Sequence, residues 1–314
     1  MRLEERLSTS GRMLVCLVCH TEPDVWDGGF ASIDRVLPLF LDMLASVSAM
    51  EGHSPRVAWC LTGQVMRHRA ETFLRLLPHG HEVGIHSHHP GGNGVVEHEQ
   101  AVNRDHLDAF DRWFPDLCAL AKEQGFPEPR THASWMFAYR DDMTRTLARC
   151  GIDVDCSVCY GGAHHLPDGF LLADSRRRKS GKPYRLSEQD HCLEGTSPVV
   201  ELPVSGGLGD YWEPDEHGGF SHFSPIGCPP ADGRGGLERQ LQLFRARLDD
   251  LAPGEVDIYQ IHFHLYEFLP PGGIDRSRLE RARALLDAMA SDARVGFAAP
   301  SAAVEAWREI ERRG

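Results

Sequence analysis

Four apolar runs in this chain stop on histidine, and that recurrence limits the possible folds more than any other feature. They read VCHTEPD at 18–24, GHEVGIHSHHP at 80–90, THASW at 131–135 and IHFHLYEF at 261–268. One histidine-rich stretch alone is as easily a surface turn as a site. Histidine ending successive strands is hard to explain by core packing, and a shared rim is the simpler account. Residues two apart on a strand project from one face, so His86 and His88 can converge on a single ion. Neutral imidazole is the commonest side-chain ligand for such an ion.

The runs alternate with helical patterns. MLVCLVC from Met13 is continuous and apolar, as a strand buried on both faces should be. Ile33, Leu37, Leu41 and Leu44 mark one face of a helix expected over 31–50. Strands are expected at 55–62, 81–87, 129–135 and 152–158, with helices over 64–77, 97–123 and 141–150 between them. Between 159 and 236 the order loosens, and VVELPVS at 199–205 is the one clear strand. Long aperiodic stretches usually carry function or cover a site. A helix over 237–251, a strand at 256–268, a helix over 276–290, the strand VGFAAP and a last helix from Ala302 complete the chain. Alternating β and α units imply a parallel sheet whose functional residues sit at the carboxyl ends of its strands. No internal repeat is visible, and the elements read as one domain over 13–314 after a 12-residue extension.

Composition narrows the partners. The 314 residues include 33 Lys and Arg against 46 Asp and Glu, a net charge of −13. That excludes a general nucleic-acid or anionic-membrane surface. The basic run 176–179 reads as a solvated loop. The first 12 residues lack the apolar core of a secretory signal, and no stretch approaches a membrane span, so a cytoplasmic location is expected. Nine cysteines, an odd number, point to free thiols. Cys16, Cys19 and His20 spell a haem-attachment motif, yet on a strand residues three apart face opposite ways and cannot grip one group. They read as buried thiols, as do Cys156 and Cys159.

In this order the segments resemble the polysaccharide deacetylase-like superfamily, the NodB-homology fold. The resemblance runs from about Met13 to Trp307. It implies an α/β architecture, a distorted (β/α)7-type barrel, and a metal-dependent amide hydrolase. His20-Thr21-Glu22-Pro23-Asp24 stands where the family carries D-x-E or D-x-D, so Glu22, or Asp24 beside it, is the implied acidic metal ligand. His86 and Ser87 match the start of H-[ST]-x-x-H, but Pro90 fills the fifth position. The second imidazole is then expected from His88 or His89. THASW resembles the family's R-A-G segment, with His132 in the arginine's place. His264-Leu-Tyr-Glu267-Phe resembles H-P-x-E-F, which supplies the catalytic histidine.

Carried over, the resemblance implies a divalent metal, zinc in many relatives, on Glu22 or Asp24 with His86 and His88. His264 becomes the general acid, with Glu267 or His262 to orient it. His20 takes the position of the aspartate base, and whether it moves protons or binds the metal stays open. Its change and that of His132 look mutually consistent, since a cation beside a histidine base would depress its pKa. Trp26, Trp135, His132 and Tyr184 are candidates for substrate contact, with packing the alternative for the aromatics. The remaining histidines of the long loops, 164, 165, 191, 217 and 222, read as solvated. The expected function is removal of an acyl group, acetyl in the simplest case, from an N-acylated sugar derivative or small metabolite. A different metal-dependent reaction at a carbonyl in a histidine-rich site, and a non-catalytic binding module, are the alternatives.

Overall fold

The computed structural model describes residues 11–312 except 26, 48–53, 93–95, 167, 208–211, 215–219, 224–235 and 271. Its centre is β1 (Arg12–Thr21), buried along its whole length after Arg12. β1 pairs in parallel with β13 (Val256–Phe263) along one edge. Its other edge is shared by β14 (Val295–Phe297) at the start and β2 (Val57–Leu61) at the end. The ring continues in parallel through β3 (Glu82–Ser87), β4 (Thr131–Ser134), β5 (Val154–Asp155) and β9 (Val200–Glu201). β10 (Val204–Gly207) then returns to β13, so residues 200–207 bridge the two ends of the sheet. The result is the expected distorted (β/α) barrel.

Strand alternation divides the side chains between two environments. Leu14, Cys16, Val18, Ala58, Cys60, Ala133, Val154, Cys156, Val200, Leu202 and Ile258 form an inner cluster. Val15, Leu17, Cys19, Trp59, Val83, Ile85, Tyr259 and Ile261 join the larger cluster under the helices. Cys16 and Cys19 thus fall on opposite sides, and both are free thiols, as is each cysteine of the Cys156 and Cys159 pair. The interior is narrow: a Cβ on Gly84 would lie 2.5 Å from Thr131 O and 2.9 Å from Cys60 Sγ. The same alternation carries His20, His86 and His262 inward at strand ends, and Ser87, His132 and Asp155 outward.

The helices cover the outer cluster. α1 (Ala31–Ser46) buries Ile33, Val36, Leu37, Phe40, Met43 and Leu44, the spacing of an amphipathic helix. α2 (Gly63–Leu74) follows β2 and starts at Thr62, whose hydroxyl accepts the Val65 N–H. The helix expected over 97–123 is two, α3 (Val96–His106) and α4 (Phe110–Glu123), separated by one 3₁₀ turn at Leu107–Ala109. α5 (Met143–Arg149) is short, α6 (Gly236–Asp249) precedes β13, and α7 (Arg276–Ala290) and α8 (Pro300–Glu311) finish the chain. The strand expected at 199–205 is split at Pro203, which has no N–H for a ladder.

The stretch 159–236 is more ordered than its composition suggests. It contains the antiparallel pairs β6 (Ala163–His165) with β7 (Leu171–Asp174) and β11 (Trp212–Pro214) with β12 (Phe220–Phe223). β8 (Tyr184–Arg185) adds to β9 antiparallel. Strands this short carry too few residues for a readable period. No helix among the described residues is long and apolar enough to cross a membrane.

Candidate metal centre

Strand β1 ends on His20 and Thr21, and the chain turns immediately after, with Glu22 the first residue past the strand. β3 delivers His86 before its last residue, and His88 folds back so that its N–H donates to His86 O at 2.9 Å. The two imidazoles therefore meet, Nε2 to Nε2 at 3.1 Å. Glu22 Oε2 lies 2.9 Å from His88 Nε2 and 3.9 Å from His86 Nε2. Its other oxygen, Oε1, is 3.5 Å from His264 Nε2, just past the end of β13. His264 Nδ1 donates to Glu267 Oε1 at 2.9 Å across one 3₁₀ turn.

The donor set suits a cation. His86 Nδ1 donates to Ala133 O at 2.9 Å, which leaves the lone pair on Nε2, the tautomer a metal-binding histidine needs. Burial, then the field of His88, drives the His86 pKa well below its usual value, with Glu22 working the other way. Burial also opposes ionisation of Glu22, but the field and hydrogen bond of His88, with His264 and His86, hold its carboxyl down to about 2. A carboxylate and the neutral Nε2 of His86 thus face the His88 ring. Two ligands on a tetrahedral ion with bonds near 2.1 Å are about 3.4 Å apart, and the observed separations of 2.9, 3.1 and 3.9 Å bracket that value.

His20 sits between the two groups. Its ring centroid is 4.5 Å from His86, 5.1 Å from His264 and 5.6 Å from His262. Its Nε2 is buried with no hydrogen-bond partner among the described residues. Burial, then the fields of His86, His264, His262 and His88, keep this imidazole neutral. Phe137 closes the far side, 5.2 Å from His20 and 5.1 Å from His262. It is held there by a turn in which Met136 and Phe137 both have positive φ, 44° and 56°. That conformation disfavours side chains and is found where surrounding structure enforces it. No pattern in the sequence announces it.

The structure separates the remaining candidates. Asp24 lies outside the cluster: its carboxylate accepts the Ser32 N–H at 3.1 Å in the first turn of α1. Of the two acids, Glu22 is the one that faces His86 and His88. His89 turns away to stack on His106 at 4.0 Å, which leaves His88. Trp26 lies outside the described residues. His132 is fully buried on the outer side of the sheet, so it neither contacts the interior nor takes an arginine's place beside His20. The pairing of those two changes does not hold. Trp135 is 4% exposed and packs in the outer core. Tyr184 is 2% exposed, with its hydroxyl donated to His191 O and Arg178 over its ring. His164 and His191 are buried, against the solvated reading; His165 is exposed, and the side chains of His217 and His222 lie outside the described residues. Of the two orienters weighed for His264, Glu267 is the one that accepts from its Nδ1, while His262 Nδ1 donates to Gly206 O at 3.3 Å.

The access side is formed by Glu22, His88 and His264, whose side chains are 11%, 8% and 9% exposed. A small recess beside His88 is lined by Pro23, Thr62, Gly63, Gln64, His89 and Pro90.

No protein-family model matches the chain, and no curated protein matches it in sequence. Solved structures do match it in fold. A Mycobacterium smegmatis protein described as a polysaccharide deacetylase is 17% identical, with 94% of this chain and 91% of that one covered at a TM-score of 0.51. A Pseudomonas aeruginosa protein described in the same way is 12% identical, with 96% and 92% covered at 0.53. The α-amylase AmyC of Thermotoga maritima is 10% identical, with 94% and 74% covered at 0.55. The chain has the polysaccharide deacetylase-like fold.

Proposed function

We infer that this chain, on its polysaccharide deacetylase-like fold, is a metal-dependent hydrolase that removes an acyl group from an N-acylated sugar derivative or small metabolite. The fold alone does not select that chemistry, since an α-amylase shares it. The observation that carries the reading is the meeting of Glu22, His86 and His88 at strand ends, beside a histidine already oriented by a carboxylate.

Glu22, His86 and His88 would hold the ion, and their mixed nitrogen and oxygen donors suit zinc. When bound, such an ion polarises an acyl oxygen and acidifies a water. Glu267 fixes the His264 tautomer with its Nδ1–H, so Nε2 is the atom presented to the Glu22 side, where a leaving amine would take a proton. His20 is a neutral imidazole with an unpartnered Nε2, suited to accept the proton from the water. Phe137 walls the inner side and limits water there.

A second reading has its own support. The 3.5 Å approach of His264 Nε2 to Glu22 Oε1 also suits a histidine-richer metal shell, with a different reaction at a carbonyl. Elemental analysis of protein purified without added metal separates the two. One ion per chain, lost in His88→Ala and kept in His20→Ala and His264→Gln, with release of acetate from an N-acetyl sugar by the parent, is the expected result. Loss of the ion in His264→Gln selects the second reading. A parent that takes up no ion even after reconstitution overturns both.

A further inference from the structure

On the outer face of the same strand ends, Ser87 Oγ lies 2.8 Å from His132 Nε2, and His132 Nδ1 lies 2.8 Å from Asp155 Oδ1. The carboxylate requires the proton on Nδ1, so the Ser87 hydroxyl donates to Nε2. Asp155 is held in turn by the Ser157 hydroxyl at 2.6 Å and the Cys156 N–H at 2.9 Å. Burial opposes its ionisation, but His132, Ser157 and the neighbouring Glu201 keep its pKa below the usual range. Ser87 donates into this row and accepts nothing from it, while Ser157 and Cys156 donate to Asp155 at the far end. A nucleophile, a base within hydrogen-bond reach and an acid orienting that base form the constellation of acyl-transfer sites on unrelated folds.

Ser87 also borders a recess of its own, roofed by Phe110, Trp113, Trp135 and Met143, with Ser134 beside it. The Ser134 hydroxyl is 1% exposed as a residue and has no hydrogen-bond partner among the described residues. A buried unpartnered donor is costly unless something accepts from it. An acyl oxygen would.

We propose that Ser87, His132 and Asp155 form a second catalytic centre, separate from the imidazole cluster, which takes a short acyl group from an ester. Ser87 Oγ bonds to the acyl carbon, its proton passes to His132 Nε2, and the ester's C–O bond breaks as the alcohol leaves with that proton. Water then attacks the Ser87 ester, His132 again relays the proton, and a carboxylic acid leaves with free Ser87. The apolar roof selects a small, uncharged acyl group.

The test uses the full chain freed of metal by a chelator, so its outcome does not depend on the metal-centred reading. The protein is mixed with 4-nitrophenyl acetate and, separately, with a fluorophosphonate, and adducts are mapped by peptide mass spectrometry. The expected result is one adduct per chain on Ser87, absent from Ser87→Ala, with acylation slowed by about 10²-fold or more in His132→Gln. No adduct, an adduct elsewhere, or an unchanged rate in a His132→Gln protein that still folds overturns the proposal. Because His132 is buried, its variant is judged only beside its circular dichroism; mapping on the parent and on Ser87→Ala decides the question if it fails to fold.

Discussion

The two faces of the rim use the same residue types to opposite ends. Inside the barrel, His86 spends only Nδ1 on the protein, and its Nε2 meets another imidazole and a carboxylate. Outside, His132 spends both nitrogens, one on Asp155 and one on Ser87. The inner arrangement gathers a carboxylate and imidazole nitrogens at one point, a set that would suit a cation. The outer one is already neutralised in a directed row and has no place for one. A histidine-rich sequence is therefore not by itself a metal site; what each second nitrogen does decides it.

The largest effect should come from breaking the inner arrangement at its charge. Glu22→Gln removes the carboxylate that His88 and His264 both face, and we expect loss of the ion by elemental analysis and hydrolysis at background. Next, Glu267→Gln should keep the ion but lower the rate of N-acyl hydrolysis by about 10²-fold, because the His264 tautomer is no longer fixed. If the ion is lost as well, Glu267 belongs with the ligands. On the outer face, Asp155→Asn breaks a fully buried pair and should cost about 3–5 kcal/mol in denaturant unfolding. Equal loss of metal per folded chain would erase the distinction between the faces.

The smallest effect is a pH dependence. Burial, then Glu267's opposing field and that of His264, leave the His262 pKa at about 4, and burial with His165 does the same for His164. Both would sit at 6.5 in the unfolded chain. Between those values the unfolded chain binds protons that the folded one refuses, so stability falls as the pH drops from 6.5 towards 4, by on the order of 1.4 kcal/mol per unit for each histidine. Glu201, kept protonated by burial and by Asp155, pulls the opposite way above 4.5. Thermal melts of metal-free protein should therefore show a steeper acid loss in Glu201→Gln than in the parent.

Much of this was legible in the sequence because strands and ligands obey one alternation. The run from Met13 to His20 fixes face and end together, and α7 matched its expected span at 276–290, whereas His86 and His88 converge through the turn after β3 rather than by alternation. Glu22 could be told from Asp24, and His88 from His89, only with the local turns in hand, since one residue's difference in direction decides each. His132 misled because its place in a motif says nothing about which side of the sheet its register selects. Phe137 and the short antiparallel pairs were invisible because a left-handed turn and strands of two to four residues leave no period to read.

The division of the strand at Pro203 has a mechanical consequence. Around most of the ring each strand is zipped to its neighbour by a regular ladder, but 200–207 is attached to β5 at one end and to β13 at the other across a register shift. Between those ends the Leu202 and Val204 N–H groups donate to Asp155 O and Val158 O at 2.8 and 2.9 Å, and the Gly206 carbonyl is what His262 holds. The register shift leaves Ser205 out of step with the ladder, so amide exchange within this stretch should be faster at Ser205 than at Leu202 or Val204.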